Sequence, residues 1–124
     1  MTSLFLGLKS LRMEYKAVLA ADMAGATPAV PKHFHTMQRD GRAFAFKNTT
    51  DVIIKLFVVN PDNPLDEIVG WTEIDPGETF GWDMSSSAQQ FNLPPQTKIY
   101  ISGVTLAGAA ATASAGRLRF TSWG

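Results

Sequence analysis

Between residues 43 and 84 the chain spells strand, turn, strand, turn, strand: AFAFKNTTDVIIKLFVV, NPDNP, IVGWTEI, DPG and ETFGWDM. That rhythm belongs to an antiparallel sheet with one buried face. In residues 43–47, Phe44 and Phe46 share a face. Residues 48–51 read as a turn. Residues 52–59 are nearly continuous apolar, with Val52, Ile54, Leu56 and Val58 on one side and Ile53, Lys55, Phe57 and Val59 on the other. Such a run suits a central strand covered on most of both faces. Asn60-Pro61-Asp62-Asn63-Pro64 stops it, because proline cannot donate to a ladder.

Residues 68–74 form the next strand. Asp75-Pro76-Gly77 supplies a preset φ followed by a permissive one. Residues 78–84 are expected to return as the hairpin partner of 68–74, a register that brings Trp71 near Trp82. Pro94-Pro95 precedes a strand at 97–104, where Ile99 and Ile101 alternate with Lys98, Tyr100 and Ser102. The small-residue stretch 105–116 reads as a loop or ribbon tip. Residues 117–123 close the chain as a strand with Leu118 and Phe120 opposite Arg117 and Arg119. The fold class is mainly β: an antiparallel β-sandwich or jelly-roll-like domain of six to seven strands over 43–124.

Residues 1–42 read differently. Leu4, Leu8, Leu11, Tyr15 and Val18 fall at spacings of four, three, four and three, the stripe of an amphipathic helix over residues 3–24. Lys9, Arg12 and Lys16 lie off that stripe. Gly25 is placed to end the helix. Pro28 and Pro31 then make 26–42 an extended arm, with Asp40-Gly41 as a turn. A small sandwich does not need such a helix to fold. The helix therefore marks a partner interface built from Leu4, Leu8, Leu11, Tyr15 and Val18 with Lys9, Arg12 and Lys16 beside it. It can instead dock on its own sheet or lie on a membrane, but Glu14 and Asp22 disfavour the last.

With 124 residues there is room for one domain and at most one appendage. No cysteine is present, which excludes a disulfide scaffold and thiolate metal sites. No apolar run approaches the ~20 residues of a membrane span, and no cleavable signal peptide is read. Net charge is zero but unevenly spread. Residues 1–47 hold seven Lys and Arg against three acids, and 48–124 hold four against eight. A basic front and an acidic body point to an acidic partner or to head-to-tail contact between copies. An acidic β body disfavours nucleic acid.

Chemistry is sparsely signalled. His33-x-His35 has a spacing compatible with a metal, yet no third ligand is signalled. Asp62, Asp66, Glu67, Glu73, Asp75 and Glu78 sit in or beside turns without a calcium-loop order. No nucleophile elbow, Walker loop or dinucleotide fingerprint occurs. The expectation is a non-enzyme with no cofactor, no metal and no catalytic residue. Trp71 and Trp82 are candidates for a glycan-stacking surface, although strand aromatics more commonly pack as core.

The run FKNTTDVIIKLFVV…IDPGETFGW…LPPQTKIYISG resembles the small β-sandwich virion proteins of tailed bacteriophages. In those modules an N-T-x-x-x-hydrophobic strand is followed by a PGE-type turn and a final pair of strands. The resemblance covers about residues 43–123 and implies a structural virion protein: a capsid decoration, neck or tail component acting by homo-oligomeric or other subunit contacts. No single functional residue carries over. Two alternatives stand beside it. One is a membrane-binding or pore-forming sandwich similar to actinoporins, using the N-terminal helix. The other is a carbohydrate-binding module using Trp71 or Trp82.

Overall fold

The computed structural model describes residues 13–41, 43–82 and 93–123. Two four-stranded antiparallel sheets are present. Their eight strands are β1 (Met13–Leu19), β2 (Lys32–Thr36), β3 (Ala43–Asn48), β4 (Ile53–Val59), β5 (Ile68–Ile74), β6 (Thr79–Trp82), β7 (Lys98–Val104) and β8 (Arg117–Trp123). One sheet runs β1-β8-β3-β6 and the other β2-β7-β4-β5. The expected mainly β, antiparallel class therefore holds, and two four-stranded sheets are compatible with the expected sandwich.

The core lies between the sheets. Phe44 and Phe46 from β3, Leu118 and Phe120 from β8, Ile54 and Leu56 from β4, and Ile99 and Ile101 from β7 are all buried there. Phe46 and Phe120 sit opposite each other in register, with ring centroids 4.6 Å apart. Each such ring removed from water contributes on the order of 2–3 kcal/mol. Strand β4 lies inside its sheet between β7 and β5, and both of its faces are covered: Ile54 and Leu56 on one side and Ile53, Phe57 and Val59 on the other are buried.

Two expectations fail, each for a physical reason. The helix over 3–24 is not what residues 13–23 form. Met13–Leu19 is a strand pairing along its whole length with β8, and Ala20–Met23 is a single 3-10 turn. Within so short a window the helical and strand periods select overlapping positions. Tyr15 and Val18 suit a pleated surface, and the backbone of β8 supplies a ladder that an isolated helix lacks. Leu4, Leu8, Lys9, Leu11 and Arg12 lie outside the described residues. The extended arm also does more than link, since residues 32–36 are strand β2, paired with β7. Pro31 immediately precedes it on a sheet edge, where a missing N–H is tolerated.

The second failure is the hairpin of 68–74 with 78–84. Strand β5 pairs with β4, whereas β6 pairs with β3 in the other sheet. Asp75-Pro76-Gly77 is a turn as read, with Gly77 at φ +83° and Glu78 N–H donating to the Asp75 carbonyl at 3.0 Å. It carries the chain across the sandwich because Asn48 captures it. The Gly77 N–H donates to the Asn48 carbonyl at 2.7 Å, and the Asn48 N–H donates to the Glu78 carbonyl at 3.0 Å.

Asn48 is fully buried, and its side chain completes this crossing. Its Nδ2 donates to the Ile74 carbonyl at 2.8 Å and the Val52 carbonyl at 2.9 Å. Its Oδ1 accepts from the Thr50 N–H at 2.9 Å and from the Thr50 hydroxyl. One amide thus ties both passages between the sheets, β3 to β4 and β5 to β6.

Candidate interaction surfaces

Alternation along β1 divides the residues that a helical stripe would have grouped. Val18 packs on the core, whereas Met13, Tyr15 and Leu19 project from the outer face of the β1-β8-β3-β6 sheet. Tyr15 is 56% exposed and Met13 64%. Lys16 stands opposite Phe120 at the sandwich edge. Tyr15 therefore joins Met13 and Leu19, not Val18.

Glu14 also points between the sheets and latches their open edge. Its Oε1 lies 2.9 Å from His35 Nε2 and accepts from the Gln38 N–H at 3.0 Å, while Oε2 accepts from the Arg39 N–H at 3.0 Å. The carboxylate is largely buried, so these bonds act in a medium that screens them little. The latch joins β1 of one sheet to β2 and its following turn in the other. Glu14→Ala removes the part-buried contact to His35, while water takes over the N–H groups of the exposed Gln38 and Arg39, and the expected cost is about 1 kcal/mol. Urea unfolding measures that loss, and faster hydrogen exchange at Gln38 and Arg39 localises it.

His33 and His35 are separated by a β-bulge. His33 packs edge-on against Tyr100 at 5.4 Å, with Nε2 2.8 Å from Thr36 Oγ1. Burial, then the neighbouring His35, Lys98 and Lys16, lower its pKa. His35 instead faces Glu14 and lies 5.4 Å from the Phe120 ring. The pair is thus divided between different partners. Among the described residues no three His, Asp or Glu side chains gather as a metal site.

Trp71 is half-buried and packs in an aromatic cluster. Its ring lies 5.4 Å from Phe44, 5.7 Å from Phe46 and 5.3 Å from Phe80, the last two edge-on. Trp82 is placed by its backbone opposite Phe44, on β6. Trp71→Ala is expected to lower the unfolding free energy by about 2 kcal/mol through lost packing, measurable in the same urea titration.

Two surfaces stand out. On the outer face of the β1-β8-β3-β6 sheet, Leu19 lies opposite Arg117, and Ala17 opposite Arg119, which in turn faces Lys47. Thr79 follows Lys47 on β6. Among the described residues no carboxylate lies within ion-pair distance of these cations, and Arg119 Nε is a buried donor without a partner. Like charges directly across strands repel, so Lys47 and Arg119 oppose each other without compensation.

The second surface is the β4–β5 hairpin. Its tip is rigid: Asn60 Oδ1 accepts from the Asp62 N–H and Asn63 Oδ1 from the Leu65 N–H, both at 2.9 Å. These successive Asx turns hold Leu65 out at 82% exposure, with Ile68 and Val69 exposed below it. Asp62, Asp66 and Glu67 surround Leu65, all exposed. Sequence reading identified these acids as turn residues. It had no signal for the opposing cationic face, whose members are about 70 residues apart in the chain.

Comparison with protein-family models finds no match, and neither does comparison with curated proteins. Among solved structures the chain is similar to hydroxypropylphosphonic acid epoxidase from S. wedmorenis, at 12% identity and a TM-score of 0.42, covering 91% of this chain and 43% of that one. It is also similar to FeII HppE, at 12% identity and a TM-score of 0.43, covering 94% and 45% respectively. The chain thus spans less than half the length of either. A likeness at this level defines neither a family nor an activity.

Proposed function

We propose that this chain is a non-enzymatic structural protein that works through subunit contacts, as a capsid decoration, neck or tail component of a bacteriophage particle. Its partners on this reading are further copies, other particle subunits or both, and not nucleic acid. The observation that carries the proposal is the grouping of exposed apolar side chains on sheet edges. Met13, Tyr15 and Leu19 lie along edge strand β1, and Leu65, Ile68 and Val69 lie on or beside edge strand β5. Isolated exposed apolar residues need no explanation, but clusters on sheet edges favour association. Strand β5 carries no charge from Ile68 to Thr72, so its edge lacks the charged blocking that keeps such strands solitary. The particle setting rests on the sequence resemblance over 43–123.

Cosedimentation of the full chain with purified tailed-phage capsids and tails tests this setting. Saturable binding supports it. A protein that stays in the supernatant, and is also a salt-insensitive monomer at high concentration, overturns it.

A further inference from the structure

We propose that copies of this chain assemble head to tail, with the β4–β5 hairpin tip of one copy seated on the outer face of the β1-β8-β3-β6 sheet of the next. The inference deepens the assembly reading above and rests on it.

Charge complementarity is the first argument. The tip presents Asp62, Asp66 and Glu67, and the sheet face presents Lys47, Arg117 and Arg119. Neither set forms an ion pair within its own copy among the described residues, and Lys98 at the base of the hairpin forms none with the tip acids. Arg119 is half-buried directly across from Lys47 with no ion pair of its own among the described residues, a repulsion that an incoming carboxylate offsets.

Shape and rigidity agree with charge. The Asx turns fix the tip before contact, so little ordering entropy is lost on docking. Leu65 projects as an apolar knob between the acids, and Leu19 lies exposed beside Arg117 as its apolar counterpart.

Topology makes the contact intermolecular. Asn48 binds the Ile74 carbonyl, so the cationic end of β3 lies at the end of β5 remote from the tip. Strand β4 runs seven residues from that end to the hairpin, about 20 Å. A tip therefore cannot fold back onto the cations of its own copy. Tip and face are different patches, so the interface is heterologous and propagates into a ring if its rotation closes, or into a filament if it does not.

The test uses exposed positions only. Asp62→Lys with Glu67→Lys reverses the tip, and Lys47→Glu with Arg117→Glu reverses the face, while circular dichroism checks that each variant keeps the fold. Light scattering after size exclusion should show wild-type assembly at low salt and each double variant weakened at least about tenfold in apparent affinity. Mixing the two variants should restore assembly, because the native tip of one meets the native face of the other and the reversed pair also matches. If wild type assembles and both variants assemble equally well, the head-to-tail contact is wrong while the assembly reading stands. If variants fail alone and mixing restores nothing, the pairing of these two patches is likewise wrong. If wild type remains monomeric under all conditions, the head-to-tail contact is wrong, and cosedimentation with phage particles then decides the assembly reading separately.

Discussion

Replacing Asn48 with alanine is expected to destabilise the protein by about 4 kcal/mol, a large share of the stability of a domain this size. The loss has four parts. The buried Ile74 carbonyl loses its side-chain donor and the Thr50 N–H its acceptor, while the part-buried Val52 carbonyl and the Thr50 hydroxyl each lose one partner and keep each other at 3.0 Å. Water cannot readily replace the amide, because Asn48 is fully buried and Thr50 nearly so. Asn48→Asp should fare no better, since it discards both donors and places a charge in the sandwich. Urea unfolding of wild type and variant measures the difference, and Lys47→Ala, one residue away but exposed, should shift stability by no more than about 0.5 kcal/mol. A loss below about 1 kcal/mol for Asn48→Ala would show that the crossing is held by other contacts.

Gly116→Ala is expected to cost a similar amount, about 4 kcal/mol. Gly116 has φ +85°, a conformation that costs an L-residue about 1–2 kcal/mol. A methyl group there would also stand 1.9 Å from the Thr49 carbonyl oxygen, so backbone must move. That backbone is committed. The Thr49 N–H and hydroxyl both donate to the Arg117 carbonyl at 2.9 Å, and the Gly116 carbonyl accepts from the Ala20 N–H at 3.0 Å. Shifting it pulls on the start of β8, the strand between β1 and β3. Gly108 is the control, with φ +86° and open space where a Cβ would stand. Gly108→Ala should cost only about 1 kcal/mol. The difference between the two variants in one thermal or urea series isolates the close approach from the dihedral.

Local pattern made the sheet-forming segments legible, and long-range pairing was not. Strand β4 was readable because burial on both faces leaves a continuous apolar run. Strands β7 and β8 were readable because Ile99, Ile101, Leu118 and Phe120 alternate with polar residues. The Asp75-Pro76-Gly77 turn was visible, but its destination was not. A short turn between two strands reads as a hairpin, and only the capture of Gly77 and Glu78 by Asn48, some 30 residues earlier, sends it to the other sheet. Strand β1 was misread because leucine-rich spacing upstream of it extended a helical stripe through Tyr15 and Val18. The β8 backbone that recruits this segment lies a hundred residues later.

The candidate surfaces were half legible. The acids of the hairpin tip cluster within a few residues and declare themselves in sequence. Their proposed counterpart does not, because Lys47 and Arg119 become neighbours only through the β3–β8 register. The charge split between the two ends of the sequence hinted at contact between copies. Its spatial form is different from the linear one: two of the three cations on the face come from the acidic portion of the sequence.

On the reading proposed above, this protein associates with further copies of itself. Sedimentation velocity of the intact chain over a wide concentration range, at low and at high salt, tests it most directly. The expected result is a mass above the 13.5 kDa of one chain that rises with concentration and falls as salt screens the contact. A single 13.5 kDa species at every concentration and salt level would contradict the claim.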